Sequence, residues 1–352
     1  MAERGVPAVD GMRNGRPYGV KGERLVTMTF AEAGENEAGM ELIGATGGEE
    51  VALTVPELEA LCARFKAEGR DARVFRFDQL ANQGPDGEVC PTLPHAAFLL
   101  VKGVVAQDVC DRIEEDLWAM PIDTMALFGM GKRRAVMNKH GRHNNVLTDR
   151  GTRPPAIASK DDYADGKGSV VDIDAYPEIV AVRDWVQEVT GRSLPVAENN
   201  YYYEISKRTG IGWHGDRERR ITVYARFGRA SPRMPLRIQW FYNRQPYGPV
   251  FEFVVDQGDL LFMSKKANGK DWMDTTASGT FKRWTMRHAT GAKLSEPKDP
   301  ERAGHIWRLT ESAHAPPAGG GGGRGGTGKR KAGQATLAGW AKAPRPAMEH
   351  VD

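Results

Sequence analysis

The feature that most constrains the fold is a series of short segments in the second half of the chain. They are Tyr201–Ile205, Ile221–Phe227, Leu236–Tyr242, Val250–Val255, Asp259–Met263, Arg283–His288 and His305–Thr310. Each is rich in aromatic and β-branched residues, and turn residues separate them at roughly regular intervals. That is the pattern of an all-β sandwich or barrel. Two amphipathic helices precede them. One runs through Val109, Ile113 and Leu117 after a strand beginning at Ala96. The other starts near Pro177, buries Ile179, Val182, Val186 and Val189, and ends at Gly191. Helices first and strands afterwards predict an α+β fold, a β-barrel or jelly-roll core with its helices packed outside.

The rest of the chain divides by composition. Residues 1–23 are polar and rich in Gly and Arg, and read as a flexible arm. Arg24 to Gly44 reads as two short extended segments. Thr54-Val55-Pro56-Glu57 then has the form of a capping box with Pro in the first turn. The helix it opens carries Leu58, Leu61, Cys62 and Phe65 on one face and stops near Gly69. These elements predict a small β/α domain over 24–80, with a Gly/Pro/Asn-rich linker at 81–94. The main domain is expected over 95–313, interrupted at 130–170 by a polar, irregular stretch. From 314 to 352 the chain becomes a Gly-rich basic tail whose run Gly319–Gly323 cannot pack, and it reads as disordered.

With 40% apolar and 27% charged residues among 352, wholesale disorder is excluded. The net charge of +3 makes no case for nucleic acid by itself, so local clustering has to. Cys62, Cys90 and Cys110 are too few for a disulfide framework or a cysteine zinc site, and read as reduced thiols in an intracellular protein. The N-terminus has no apolar signal core. The longest apolar stretch, Ala96 to Ala106, is broken by Lys102 and is far shorter than the ~20 residues of a membrane helix. The expectation is a soluble protein of nucleus or cytoplasm.

The most informative segment is Gly210-Ile211-Gly212-Trp213-His214-Gly215-Asp216. His214 and Asp216 lie two apart, so on extended backbone both side chains leave the same face and can share one cation. His288, closing the strand-like segment Trp284–His288, supplies a third ligand. Two imidazoles and one carboxylate on one side of a metal leave three positions open, the facial triad of non-haem Fe(II) oxygenases. A polar surface turn is the other reading that the residues alone allow.

Asn200-Tyr201-Tyr202-Tyr203 followed by His214-Gly215-Asp216 resembles the Asn-x-Tyr…His-x-Asp core of AlkB-type Fe(II)/2-oxoglutarate dioxygenases. Gly258-Asp259-Leu260-Leu261-Phe262-Met263 and Asp271-Trp272 resemble the strand and turn before that family's distal histidine. Lys139–Asn144, Asp165–Gly168, Gln239-Trp240-Phe241 and Arg287-His288-Ala289 are similar to stretches of AlkB-like proteins of algae and large DNA viruses. The likeness covers about 95–313. It implies a double-stranded β-helix, with His214, Asp216 and His288 as iron ligands and 2-oxoglutarate and O2 as co-substrates. It also implies a 2-oxoglutarate anchor in Arg302 and Arg308, which have the family's Arg-x5-Arg spacing, with Gly304 and Ile306 in place of the usual Asn and Thr between them. A guanidinium suits that task because it grips a carboxylate through two parallel hydrogen bonds. Arg287 and Arg226 are rival anchors. Tyr202 and Asn200 match co-substrate contacts, or are ordinary strand residues. Trp213, Trp240 and Trp272 read as core rather than base-stacking residues.

The activity that the resemblance implies is oxidation of an alkylated or methylated nucleic-acid base, which demethylates or hydroxylates it. Lys132, Arg133, Arg134, Lys139 and Arg142 form a basic stretch suited to phosphate contact, and Arg217, Arg219 and Arg220 add charge beside the ligands. In the tail, Gln334-x-x-Leu337-x-x-Trp340 behind Lys329–Lys331 resembles a sliding-clamp docking peptide with Ala341 where a second aromatic belongs. Hydroxylation of a protein side chain or a small metabolite is the alternative activity. A binding module with a decayed metal site is a third, against which stand the three retained ligands.

Overall fold

The computed structural model describes residues 12–13, 16–17, 24–81, 93–129, 133–206, 209–230, 234–274, 284–291 and 306–309. Most of the expected linker, Lys132, Arg302 and the clamp-like Gln334, Leu337 and Trp340 lie outside the described residues. In chain order the strands begin with β1 (Met12–Arg13), β2 (Arg16–Pro17), β3 (Leu25–Ala31), β4 (Ala33–Glu35) and β5 (Leu42–Gly44). Helix α1 (Val55–Ala67), β6 (Ala72–Arg76), α2 (Phe77–Leu80), β7 (Ala97–Val101) and α3 (Gln107–Ala119) follow. The middle of the chain forms β8 (Met125–Phe128), β9 (Ala135–Asn138), β10 (His143–Thr148), α4 (Lys160–Ala164), β11 (Val170–Asp172) and α5 (Pro177–Thr190). The last part forms β12 (Val196–Tyr202), β13 (Gly210–His214), β14 (Val223–Phe227), β15 (Leu236–Tyr242), β16 (Gln245–Phe253), β17 (Leu260–Met263), α6 (Lys265–Asn268), β18 (Trp284–Gly291) and β19 (Ile306–Arg308).

The fold is α+β. A sheet of eight strands runs β11-β10-β12-β3-β14-β17-β7-β6, antiparallel except where β10 meets β11, and a second sheet of five runs β13-β18-β15-β16-β19. Period-two alternation on the large sheet decides where everything else goes. Val26, Met28 and Phe30 of β3, Tyr201 of β12, and Val223 and Ala225 of β14 all face α1, α3 and α5 in one apolar layer. Phe98, Leu100, Tyr224, Leu261 and Met263 face the other way, against Leu236, Ile238, Trp240, Phe251 and Met286 of the small sheet. Trp240 is wholly buried there, and its indole N–H donates to the Phe77 carbonyl at 3.2 Å. Toward one end this second layer turns polar and opens into a cavity.

The helices form as their caps and faces dictate. Thr54 and Glu57 close a reciprocal capping box on α1, the Thr54 N–H donating to the Glu57 carboxylate at 2.7 Å. Leu58, Cys62 and Phe65 are buried one or two turns apart, and Phe65 stacks on Trp185 of α5 with ring centroids 5.6 Å apart. Helix α5 ends at Gly191, whose φ of 64° is the left-handed conformation that glycine adopts without strain.

Two sequence expectations are corrected. Residues 24–80 are not a separate domain. Strand β3 pairs with β12 on one side and β14 on the other, at the centre of the large sheet, and β6 extends the same sheet beside β7. The stretch 130–170 is not irregular throughout, because β10 within it is buried along its whole length. Its polar side chains hid the strand. They are satisfied internally: Asn145 donates to the Pro121 carbonyl at 2.7 Å and accepts from Asn199 at 2.9 Å.

Lys139 is likewise no phosphate contact. It is 2% exposed, and its ammonium donates to Asn36 Oδ1 at 2.6 Å and to the Asn144 side-chain oxygen. Burial, aided by Arg142, pushes its pKa down to about 7. Above that pH the unfolded chain holds a proton that the folded chain has released, so unfolding free energy rises with pH until the unfolded lysine also titrates. Chemical denaturation at pH 7.5 and 9.5 should therefore show wild type gaining stability relative to Lys139→Met, by up to ~1.4 kcal/mol per pH unit. A difference that does not change with pH would refute this.

Candidate metal centre

His214 closes β13, and its register partner across the antiparallel pair is His288 of β18. The pairing is irregular between Ile211 and His214, a bulge of the kind that re-aims a side chain. The two imidazoles lie with centroids 4.3 Å apart. Asp216 enters from the loop beyond β13. Its Oδ1 is 3.8 Å from His214 Nε2 and 3.5 Å from His288 Nε2. Ligand atoms of all three residues lie within 4.8 Å of one another.

The loop is held by close backbone contact. Asp216 N–H donates to the Asn268 carbonyl at 3.1 Å. A Cβ on Gly215 would stand 2.1 Å from the Gly269 carbonyl oxygen, so only glycine fits between the two segments. The sequence reading placed Asp216 on extended backbone two residues from His214. The strand in fact stops at His214, and this tether to the α6 segment sets the carboxylate.

Two of the three ligands, His214 and Asp216, are oriented by hydrogen-bond partners. His214 Nδ1–H donates to the Gly212 carbonyl at 2.8 Å, which leaves Nε2 with its lone pair toward Asp216. Thr222 donates its hydroxyl hydrogen to Asp216 Oδ2 at 2.9 Å, while its own oxygen accepts from Asn268 Nδ2 at 2.7 Å. Asp216 Oδ1 is thus the oxygen left for the histidines. His288 Nε2 is buried and makes no hydrogen bond among the described residues. Burial and the second imidazole push His214 down to about 4, and the facing histidines and Arg219 hold the Asp216 carboxyl well below its usual range despite its burial. Two imidazoles and a carboxylate on one side of an open space are the donor set for a divalent metal. Cis ligands on such an ion lie about 3 Å apart, so a small closure of the three side chains would complete the set.

The triad lines a cavity of about 230 Å³ between the sheets. The polar face of the large sheet supplies its far wall through Thr27, Glu198, Asn200, Tyr202 and Tyr224. Both sequence-predicted co-substrate contacts, Asn200 and Tyr202, are therefore here. Behind Tyr224, the fully buried Arg226 donates from Nε to the Tyr224 hydroxyl at 2.7 Å. The strand that carries Arg308, β19, pairs with β16, three strand spacings of about 4.8 Å from β18. Arg287 neighbours His288 in sequence, so it leaves the opposite face of the small sheet, where its guanidinium lies 4.3 Å from the Phe241 ring centroid.

The basic residues scatter. Arg142 and Arg217 line the cavity, Arg142 paired with Glu37 at 3.3 Å and Arg217 exposed. Arg133 and Arg134 are exposed and outside the cavity lining, the latter donating to the Gly39 carbonyl at 2.8 Å. Arg219 is buried between Glu198 and Glu218 and offers no charge to solvent. Trp240 is core as expected, but Trp272 lines the metal cavity and Trp213 packs half-buried on Phe241 at 5.8 Å. Sequence reading missed Glu35, where burial with Glu218 and Glu198 raises the pKa to about 7, and also Thr222 and Asn268. The last two carry no local motif.

Thr222→Val removes the hydroxyl without changing shape, so metal affinity should fall roughly 10- to 100-fold. Co(II) titration followed in the visible range reads this directly. Thr222→Ser should bind as wild type does, and equal affinity for Val and Ser variants would show that the bond is idle.

No protein-family model matches the chain. It is 30% identical over 273 residues to the uncharacterized protein R156 of Acanthamoeba polyphaga mimivirus, an overlap covering 76% of this chain and 96% of that protein. The chain belongs to the same family as R156.

Proposed function

We propose that this member of the R156 family is an AlkB-like, Fe(II)- and 2-oxoglutarate-dependent dioxygenase that oxidises an alkylated or methylated base of DNA or RNA. The observation that carries the reading is the triad: two histidines from paired strands and one tethered carboxylate, converging on one side of a cavity. The facing sheets, with the site between them at one end, suit the double-stranded β-helix in which such triads are held.

His214, Asp216 and His288 would hold the iron through Nε2, Oδ1 and Nε2. Iron with 2-oxoglutarate and O2 supplies the oxidising chemistry, releasing succinate and CO2. The chain's own part is to bind, orient and exclude water. Asn200 and Tyr202 present polar groups from the far wall for the co-substrate. Arg226, directly behind Tyr224, is a buried cation that would help neutralise a carboxylate there. Glu35, protonated up to about pH 7, and Glu218, paired with Arg219, line the same cavity and offer polar groups to an entering base. A base in a duplex would have to leave its stack to enter so small a space.

Purified full-length protein with Fe(II), ascorbate and 2-oxoglutarate should form succinate slowly, and His214→Ala should form at least 100-fold less. Methylated oligonucleotides should lose the methyl mass in wild type alone. No succinate, and no 2-oxoglutarate-dependent visible band under anaerobic Fe(II), would refute the dioxygenase reading. Succinate with unchanged oligonucleotides would refute the base-directed part and favour a protein or metabolite substrate.

A further inference from the structure

The metal cavity, at about 230 Å³, has room for a reactive group and a co-substrate but not for a polymer. A second and larger cleft, about 650 Å³, lies on the other side of the Arg217 loop. Its walls come from the α1 N-terminal region and from the α6 segment. Arg217 lines both spaces, so the cleft and the metal cavity adjoin at that residue.

The cleft is lined by Arg217, Arg220, Lys265, Lys266 and Lys270, against the carboxylates of Glu49, Asp271 and Asp274. Five cations thus face three carboxylates along the cleft. Arg220 and Lys265 share Glu49, and Lys266 contacts Asp271 at 2.5 Å. Lys270 donates to the Arg217 main-chain carbonyl, tying the α6 side of the cleft to the loop that carries Asp216. The Lys265 and Glu49 side chains are 57% and 58% exposed, so that pair is screened, contributes little to stability, and is free to exchange for an external anion. Burial and the nearby Arg220 push Lys270 below the usual lysine range, so positive charge is crowded at this point. An excess of positive charge beside an open cleft suits a polyanionic ligand.

We infer that this cleft is a track for a nucleic-acid phosphate backbone, leading the strand past Arg217 so that one base reaches the metal cavity. The inference rests on the base-directed reading above and adds the surface that would hold the strand. Arg217 stands at the junction, and Lys265 and Lys266 line the cleft beyond it. Phosphate contacts of this kind fix register and orientation without reading sequence.

The test is fluorescence anisotropy of a labelled 20-nucleotide single strand with the full-length protein across a salt series. Each cation that displaces counterions contributes roughly 0.7 to the slope of log affinity against log salt for a single strand. Lys265→Ala/Lys266→Ala should therefore lower the slope by about 1.4 and weaken binding several-fold at low salt. Lys265→Arg/Lys266→Arg should keep the wild-type slope. Co(II) affinity and succinate formation without oligonucleotide should be unchanged in both. A slope unaffected by the alanine pair would overturn the track, as would the absence of salt-dependent oligonucleotide binding in wild type. Lysine-dependent binding of poly-glutamate in place of the oligonucleotide would assign the cleft to an acidic protein and also overturn it. None of these results alters succinate formation, so the dioxygenase reading stands or falls separately.

Discussion

The position of β3 is the constraint on which the rest of the structure depends. Its backbone fills the gap between β12 and β14, so without it the large sheet would be two fragments with open edges. Its alternation then assigns the two faces. Val26, Met28 and Phe30 go to the helix layer, while Thr27 and Thr29 line the metal cavity. The same strand thus carries part of the main apolar core and part of the polar wall, and a slip of one residue would exchange them. That makes residues 24–31 a component of the site despite their distance in sequence from the ligands.

The polar wall brings its own electrostatic demand. Asp216, Glu198, Glu218 and Glu35 share a small volume with limited access to water. Arg219 answers most of it, buried and bonded to Glu198 and Glu218, its charge secured by the surrounding carboxylates. Removing that arginine would strand two carboxylates, a loss that costs far more than an exposed pair returns. Glu35 is left with like charges beside it and burial around it, so its proton is retained to about pH 7. The arrangement concentrates ionised oxygen at Asp216 and holds the neighbouring acids neutral or paired, as a site for one divalent ion needs.

What was legible in the sequence follows from how local each signal is. The Thr54–Glu57 capping box, the stop at Gly191 and strand β15 at Leu236–Tyr242 depend on neighbours a few residues away, and all read directly. The α+β class followed from the succession of such elements. His214 and Asp216 were legible because two ligands fall within three residues. The pairing of β3 with β12 bridges more than 160 residues, and nothing in residues 24–31 announces it, so a separate domain was the natural but incorrect reading. Strand β10 was hidden by its asparagines, and the partners of Asn145 lie 24 and 54 residues away. The basic residues misled for a related reason. A charge reads the same in sequence whether it is exposed, as at Arg217, or buried against carboxylates, as at Arg219.

The site also explains why glycine and irregular backbone gather at one end of the small sheet. Strand β13 is an edge strand, so its outer side is free to meet a loop instead of another strand. The bulge between Ile211 and His214 turns the histidine toward its partner on β18, and the strand ends there. Gly215 then lets the chain pass against Gly269 at a separation no side chain permits, and this contact puts Asp216 under the Thr222 hydroxyl and the Asn268 amide. The loop does not end its work at the carboxylate. Its next residue, Arg217, emerges on the far side of the α6 contact and lines the larger cleft. One short crossing of two backbones therefore fixes the carboxylate in the metal cavity and the cation at the cleft's mouth, so any displacement of one must be felt at the other.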